Sequence, residues 1–397
     1  MRKARFIPFA ALVMAWTVLG AQIKPGLLWK DDQGHDIHAH GGNIIKVGAT
    51  FYWYGENTRD LAVPGMEYGA FNGVRCYSST DFQTWHSEGI VCAPTSSGAL
   101  SKHLIAYRPK VLHNSATSKY VMILSECCGD ATGGVLNTGH LVYALSTTPT
   151  GPFVYQKTEN PANRNVMDMT VFTDDDGTGY VIYSDGNDGI TIDRLSSDYL
   201  SVAQRVVHIP STGMGNCEEG PSMVKVNGRY FLTNSWCSYW NPNQNHYRSA
   251  PGISGPWSDN QDGTLGNTDT YKSQGGYILT ITGSSGSTRI YMGDRWDCPQ
   301  NACDLSMSKY VWLPLSFSGS TMSMSWYDTW YLDVQKGTWS AQPTGIDRGN
   351  DRLRAATAHE NIAAGRSFDI RGKRLAGKCA RGIRIISDGW RNLPAME

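Results

Sequence analysis

At 397 residues, with Lys+Arg and Asp+Glu balanced at 35 each, the chain carries no charge footprint for nucleic acid or an anionic membrane surface. The length suits one large β domain of roughly 300 residues with a small appendage. The bias lies instead in 13 Trp, 20 Tyr and 43 Gly against only 18% charged residues, a composition for short aromatic strands between glycine turns.

Residues 1–21 read as a secretory signal. Arg2, Lys3 and Arg5 form a basic end, and Phe6 to Leu19 an apolar run too short to span a bilayer comfortably. Gly20-Ala21 supplies the small residues of a cleavage site. A secreted, extracellular monomer with neither nucleic-acid nor membrane partners is expected. Nine cysteines fit an oxidising compartment. Cys298 with Cys303, Cys217 with Cys237, and Cys76 with Cys92 are plausible pairs. Cys127-Cys128 is ambiguous, and Cys379 is the odd one. The spacing of a structural zinc site is absent, and no metal is expected.

From residue 22 a strand-turn-strand unit recurs. It runs over Ile44 to Tyr54, Lys110 to Met122, Thr170 to Tyr183 and Met223 to Leu232, with a weaker copy from Ile278 to Met292. Each copy has alternating apolar residues, a Gly/Asn/Asp or Ser/Thr turn, then an aromatic strand, which is the hairpin signal. Behind the hairpins come turns ending in an aromatic, as at Trp85, Phe153 and Trp257. Tyr52, Tyr120, Tyr180, Tyr230 and Tyr291 lie 68, 60, 50 and 61 residues apart. A four-stranded propeller blade takes roughly 40–50 residues. An all-β, five-bladed β-propeller over 22–344 is therefore expected, in preference to a two-sheet sandwich. Residues 345–397 hold nine Arg and two Lys and lack β-alternation, which reads as a poorly ordered basic tail.

A propeller brings the starts of its inner strands to one axis. Asp168 precedes the third hairpin, Glu219 the fourth and Gln274 the fifth, so these three are expected to converge. A carboxyl beside an apolar inner strand loses solvation, which raises its pKa and suits a general acid. In an aromatic-rich chain, such carboxylates suggest glycoside chemistry. Glu56 is a candidate hydroxyl contact, Trp240, Tyr239 and Trp296 candidate stacking platforms, and His40 a residue of the axial floor. Glu218 is expected to point away from the site and to tolerate change.

The ordered motifs Ala39-His-Gly-Gly42, Tyr52 to Glu56, Arg108-Pro-Lys-Val111, Asp168-Met-Thr170, Asp174 to Thr178, Glu219 to Lys225, Tyr291 to Asp297 and Tyr310 to Leu315 span residues 28–330. In that order they resemble the exo-β-1,3-galactanase branch of glycoside hydrolase family 43. The resemblance implies an inverting hydrolase acting on β-1,3-galactan, as in the arabinogalactan backbone, without a cofactor; an axial calcium is left open. It places Glu219 as general acid and Asp168 as the group that tunes and orients it. The family's usual Asp base would fall at Gly41-Gly42, where it is missing, and the branch places a glutamine at Gln274 to hold the attacking water. Asp36, just upstream, is the reserve candidate for that base. Family members often have Glu where this chain has Tyr107, so a sugar contact there is expected to differ. Other family 43 activities, of the arabinofuranosidase or xylosidase type, depend on the missing Asp. A galactan-binding lectin of the same fold is the reading from a different class.

Overall fold

The computed structural model describes residues 20–59, 71–102, 104–127, 139–186, 188–212, 217–238, 240–259, 264–298 and 304–341. Most of the expected signal, the basic segment 345–397, Tyr239, Cys128, Cys303 and Cys379 lie outside the described residues.

A short strand, β1 (Ala21–Ile23), comes first. The first large sheet is β2 (His40–Val47), β3 (Thr50–Glu56), β4 (Val74–Ser79) and β5 (His86–Cys92). The second is β6 (Ile105–Asn114), β7 (Lys119–Cys127), β8 (His140–Ser146) and β9 (Val154–Glu159). The third is β10 (Val166–Thr173), β11 (Gly179–Asp185), β12 (Gly189–Leu195) and β13 (Val202–Pro210). The fourth has β14 (Glu218–Val226), β15 (Arg229–Trp236) and β16 (Asn245–Ala250). The fifth has β17 (Gln274–Thr282), β18 (Ser287–Arg295), β19 (Lys309–Ser318) and β20 (Thr321–Met324). Last come β21 (Trp330–Asp333) and β22 (Thr338–Ser340).

The all-β expectation holds, but the blade number does not. The described strands form six sheets, the sixth in the order β1-β21-β22, so the architecture is a six-bladed β-propeller and not a five-bladed one. The sixth sheet joins strands of 3, 4 and 3 residues, two of them over 300 residues along the chain from the first. Its hairpin is only four and three residues deep and its third strand lies at the start of the chain, so the count of repeats passed it by. Its anchor is Trp330, fully buried, whose indole N–H donates to Trp312 O at 2.9 Å.

The apolar core is divided into layers between neighbouring sheets. Met122, Leu124 and Val142 of the second sheet pack against Tyr54, Val74 and Val91 of the first. Ile182, Ile190 and Ile192 of the third meet Met223 and Leu232 of the fourth. A layer rich in tryptophan, with Trp53, Trp85, Trp312 and Trp330, joins the first, fifth and sixth sheets. Because both faces of a blade are covered, β11 is buried along its whole length. That explains why its sequence reads as a continuous run rather than an alternation.

The inner strands β2, β6, β10, β14 and β17 touch in chain order, and β17 returns to β2. Each loses its pairing register near its first residues. The irregularities fall between His40 and Asn43, Tyr107 and Lys110, Val166 and Met169, Glu219 and Ser222, and Gly275 and Tyr277. A β-bulge re-aims side chains, and here five of them encircle one end of the axis. Gly-Gly, Arg-Pro, Met-Asp, Gly-Pro and Gly-Gly mark the five places.

Cys217 and Cys237 are bonded as expected. Cys298 is also disulfide-bonded. Cys76 and Cys92 are free and buried, a correction to the pairing proposed for them. They lie on adjacent strands out of step, since Val74 is the residue opposite Cys92.

Candidate active site

The bulged ends of the inner strands gather the three residues expected at the axis. Asp168, Glu219 and Gln274 come from β10, β14 and β17, and a fourth residue, Arg108 of β6, ties them together. Arg108 adopts φ 50° at its bulge, which turns a 3% exposed guanidinium into the centre. Its Nε stands 2.8 Å from Asp168 Oδ1, and its Nη2 donates to Gln274 Oε1 at 2.6 Å. Its own backbone N–H donates to Glu56 Oε1 at 2.9 Å. Burial opposes the arginine's charge, but Asp168, Glu56 and Asp294 around it keep it firmly protonated.

Glu219 is the carboxyl most suited to giving up a proton. Burial pushes its pKa up to about 8, the Asp168 charge adds to the rise, and Arg108 and the Gln274 amide only partly oppose it. At neutral pH it therefore holds its proton, as a general acid must. Asp168 stays close through a second bond, accepting the Gly220 N–H at 2.9 Å. Gly220 has φ 57°, so only a residue without Cβ takes this turn without strain.

Gln274 is in the site, but at 3.4 Å from Glu219 Oε2 rather than across a gap. Its Nε2 also donates to Ser235 Oγ at 3.1 Å, and its Oε1 accepts the Trp296 indole N–H at 3.3 Å besides Arg108. Both amide hydrogens and both oxygen lone pairs are thereby used. An inverting pair needs its carboxyl groups roughly 6.5–9.5 Å apart to admit water.

Trp240 and Trp296 meet edge to face, with centroids 5.5 Å apart, on the wall of a cleft of about 360 Å³. Gln274 is shared by this cleft and the carboxylate cluster, while Asp294 and Ser235 complete the near wall. Such an aromatic pair beside polar groups is the composition of a sugar subsite. Another cavity, about 470 Å³ at the far ends of the inner strands, contains none of the raised carboxyls.

The remaining expected residues divide. Glu56 joins the cluster through Arg108, and burial pushes its carboxyl up to about 7. His40 is 1% exposed, stacked on Tyr310 at 4.3 Å and paired through Nδ1 with Asp294 at 2.8 Å. It supports the floor and presents no surface to the cleft. Tyr107, half-buried, sits opposite Ser125 at the start of β6. Asp36 is outside the cluster, 39% exposed and paired with Lys30 at 2.9 Å. Glu218 points away as expected, but it is fully buried against Arg248 at 2.7 Å, which corrects the expectation that it tolerates change.

The model of glycosyl hydrolases family 43 matches residues 39–288. This chain belongs to glycoside hydrolase family 43. An exo-β-1,3-galactanase from Phanerochaete chrysosporium, solved with β-1,3-galactotriose, is 34% identical over 81% of this chain and 71% of its own, with a TM-score of 0.71. An exo-β-1,3-galactanase from Clostridium thermocellum is also 34% identical, over 80% of this chain and 68% of its own, with a TM-score of 0.72. A family 43 β-1,3-galactosidase bound to galactodeoxynojirimycin is 28% identical over 77% of this chain and 99% of its own, at a TM-score of 0.65. Among curated proteins, none matches.

Several residues of this family 43 hydrolase's site escaped sequence reasoning. Arg108 and Lys110 were visible as two cations in an apolar inner strand, a pattern that needs buried partners. Lys110 is fully buried, donates to Gly41 O, and is pushed down to about 7 by burial and then by the Arg108 charge. Asp294 lay in the Gly-Asp-Arg run of the fifth hairpin. Its Oδ2 accepts the Gly41 N–H at 2.9 Å, which fixes the glycine where a base would be sought.

Proposed function

We propose that this glycoside hydrolase is a secreted exo-β-1,3-galactanase that removes galactose from β-1,3-galactan with inversion at the anomeric carbon. The observation that carries this reading is Glu219, a carboxyl kept protonated by burial and by Asp168, at the mouth of an axis bordered by the Trp240–Trp296 cleft. Glu219 protonates the leaving oxygen. Asp168 keeps its proton affinity high, and the Arg108 guanidinium holds Asp168 in place. Gln274, bonded on all four sides, fixes the position of Glu219 relative to Arg108 and Trp296. The chemistry calls for acid, base and water, and for no cofactor.

The galactan reading draws on the galactanases and galactosidase to which the chain is similar. Gly41-Gly42 in place of the family's Asp favours it over arabinofuranosidase or xylosidase activity. A lectin of the same fold has no use for a carboxyl held protonated beside an arginine–aspartate pair. Purified protein given linear β-1,3-galactan should release galactose alone, with the α anomer appearing first by NMR. Binding without release, or a β anomer appearing first, would refute the proposal. The basic-then-apolar N-terminus supports secretion, and N-terminal sequencing of exported protein should find a start near Ala21.

A further inference from the structure

On the inverting galactanase reading above, we infer that the Cys217–Cys237 disulfide is a positioning group of the active site: its two sulfurs form a wall beside the Glu219 carboxyl that offers no hydrogen to it. Both sulfurs and a carboxyl oxygen of Glu219 lie within 4.8 Å of one another. The bridge therefore stands where the acid works, and its role goes beyond fastening the fourth sheet.

The strand pattern puts it there. Residues two apart on a strand share a face. Cys217 thus stands on the side of Glu219, and Glu218 between them turns away to Arg248. Across the ladder, Trp236 of β15 lies opposite Glu218, and Ser235 opposite Glu219. Cys237 follows Trp236 and so returns to the face of Ser235, whose hydroxyl accepts from Gln274 Nε2 at 3.1 Å. With Cα atoms 5.5 Å apart, the disulfide adds one covalent rung just beyond the ladder, on the face of the acid. Asn243 accepts the Trp236 N–H at 3.0 Å and donates to its O at 2.7 Å, which closes the turn that contains Trp240. The bridge thereby joins the strand of the acid to the wall of the cleft.

The chemistry of this wall suits an acid that must keep its proton. Burial comes first in raising the Glu219 carboxyl to about 8, and the Asp168 charge of β10 adds to the rise. Arg108 of β6 and the Gln274 amide of β17 oppose it, the amide from 3.4 Å. Cys217, Cys237 and Glu219 are each half-buried, so the sulfurs lie where the acid borders solvent. A disulfide has no hydrogen to give, and its sulfurs accept weakly. A hydroxyl or a water in that space would donate to the carboxylate and draw its pKa down. The bonded sulfurs keep both out.

The test compares the full-length enzyme with two double variants, Cys217→Val/Cys237→Val and Cys217→Ser/Cys237→Ser. Both lack the crosslink, and they differ in what faces Glu219. On β-1,3-galactan, the serine pair should move the alkaline limb of kcat/KM to lower pH by about one pH unit, a loss of about tenfold well above the limb. The valine pair should keep the limb where the wild type has it. An aryl galactoside with a good leaving group needs little protonation, so the serine pair should affect it much less. If a full pair fails to fold, Cys217→Val/Cys237→Ser and Cys217→Ser/Cys237→Val carry one hydroxyl each, and their limbs should fall below that of the wild type by a smaller step. Serine and valine pairs that share one limb, or mixed pairs that keep the wild-type limb, would overturn the inference and leave the disulfide a crosslink only. If the wild type releases no galactose from galactan, the functional reading fails instead, independently of the bridge.

Discussion

The two ends of the same five inner strands are built on opposite rules. At the hairpin end, pairing is regular up to the turn, as in Val47 opposite Thr50 and Val226 opposite Arg229. Asn227 and Gly228 there take φ 50° and 80°, the left-handed pair that a tight hairpin asks for. Polar groups at that end meet solvent and one another, as Lys225 does with Asp174 at 2.6 Å and Asp175 at 2.9 Å. At the bulged end, register is lost in all five strands, and buried charge accumulates in Arg108, Lys110 and Glu218. One end is arranged to satisfy the backbone, the other to hold ionisable groups where water does not dissipate their interactions. Reactivity and cost therefore lie together, and substitutions at the two ends should differ in kind.

The largest effect is expected at the acid. Glu219→Gln should lower kcat on galactan by roughly 10²–10⁴. An aryl galactoside with a good leaving group should lose much less, because it needs little protonation. Equal losses on both substrates would remove Glu219 from the role. Its neighbour Glu218 should behave differently. Glu218→Gln leaves Arg248 buried without its counter-charge and should cost about 3–5 kcal/mol of stability, measured by denaturant unfolding. The pH dependence of the surviving activity should be unchanged, which would show that adjacent glutamates on one strand serve separate ends.

How much of this was readable beforehand follows the same division. The hairpin end announces itself through tyrosine spacing and turn residues, and aligning those hairpins brought Asp168, Glu219 and Gln274 to one axis. The chain writes local periodicity, and that much transfers. The sixth sheet did not, because it joins Ala21–Ile23 to Trp330–Asp333 and no local pattern links such distant strands. Arg108 as the hub depended on a left-handed backbone at one residue, which an Arg-Pro pair does not announce. The Glu218–Arg248 pair was missed because alternation tells which way a side chain points and not what it meets there. Cys76 and Cys92 looked alike to the true pair Cys217–Cys237 in spacing, and only the strand register separates them.

A smaller effect should sharpen the comparison. Glu126, at the bulged end of β7, is 4% exposed, and burial pushes its carboxyl up to about 7. A carboxyl whose folded pKa lies above its unfolded value loses stability as pH rises through that window. Glu126→Gln should therefore match the wild type near pH 5 and exceed it near pH 8, by on the order of 1–3 kcal/mol. Melting curves at the two pH values would check this. At the hairpin end, Lys225→Met removes only part-exposed ion pairs, and should leave the melting curve nearly unchanged. Galactan turnover should be untouched.

The most direct measurement is the pH dependence of kcat/KM for the wild-type enzyme on β-1,3-galactan. Glu219 must be protonated to act, so activity should fall as pH rises through about 8, the value to which burial and Asp168 raise it. Asp168→Asn removes one cause of that rise and should move the alkaline limb to lower pH. An alkaline limb absent from the wild type, or one unmoved by Asp168→Asn, would contradict a buried Glu219 tuned by Asp168 as the acid of this site.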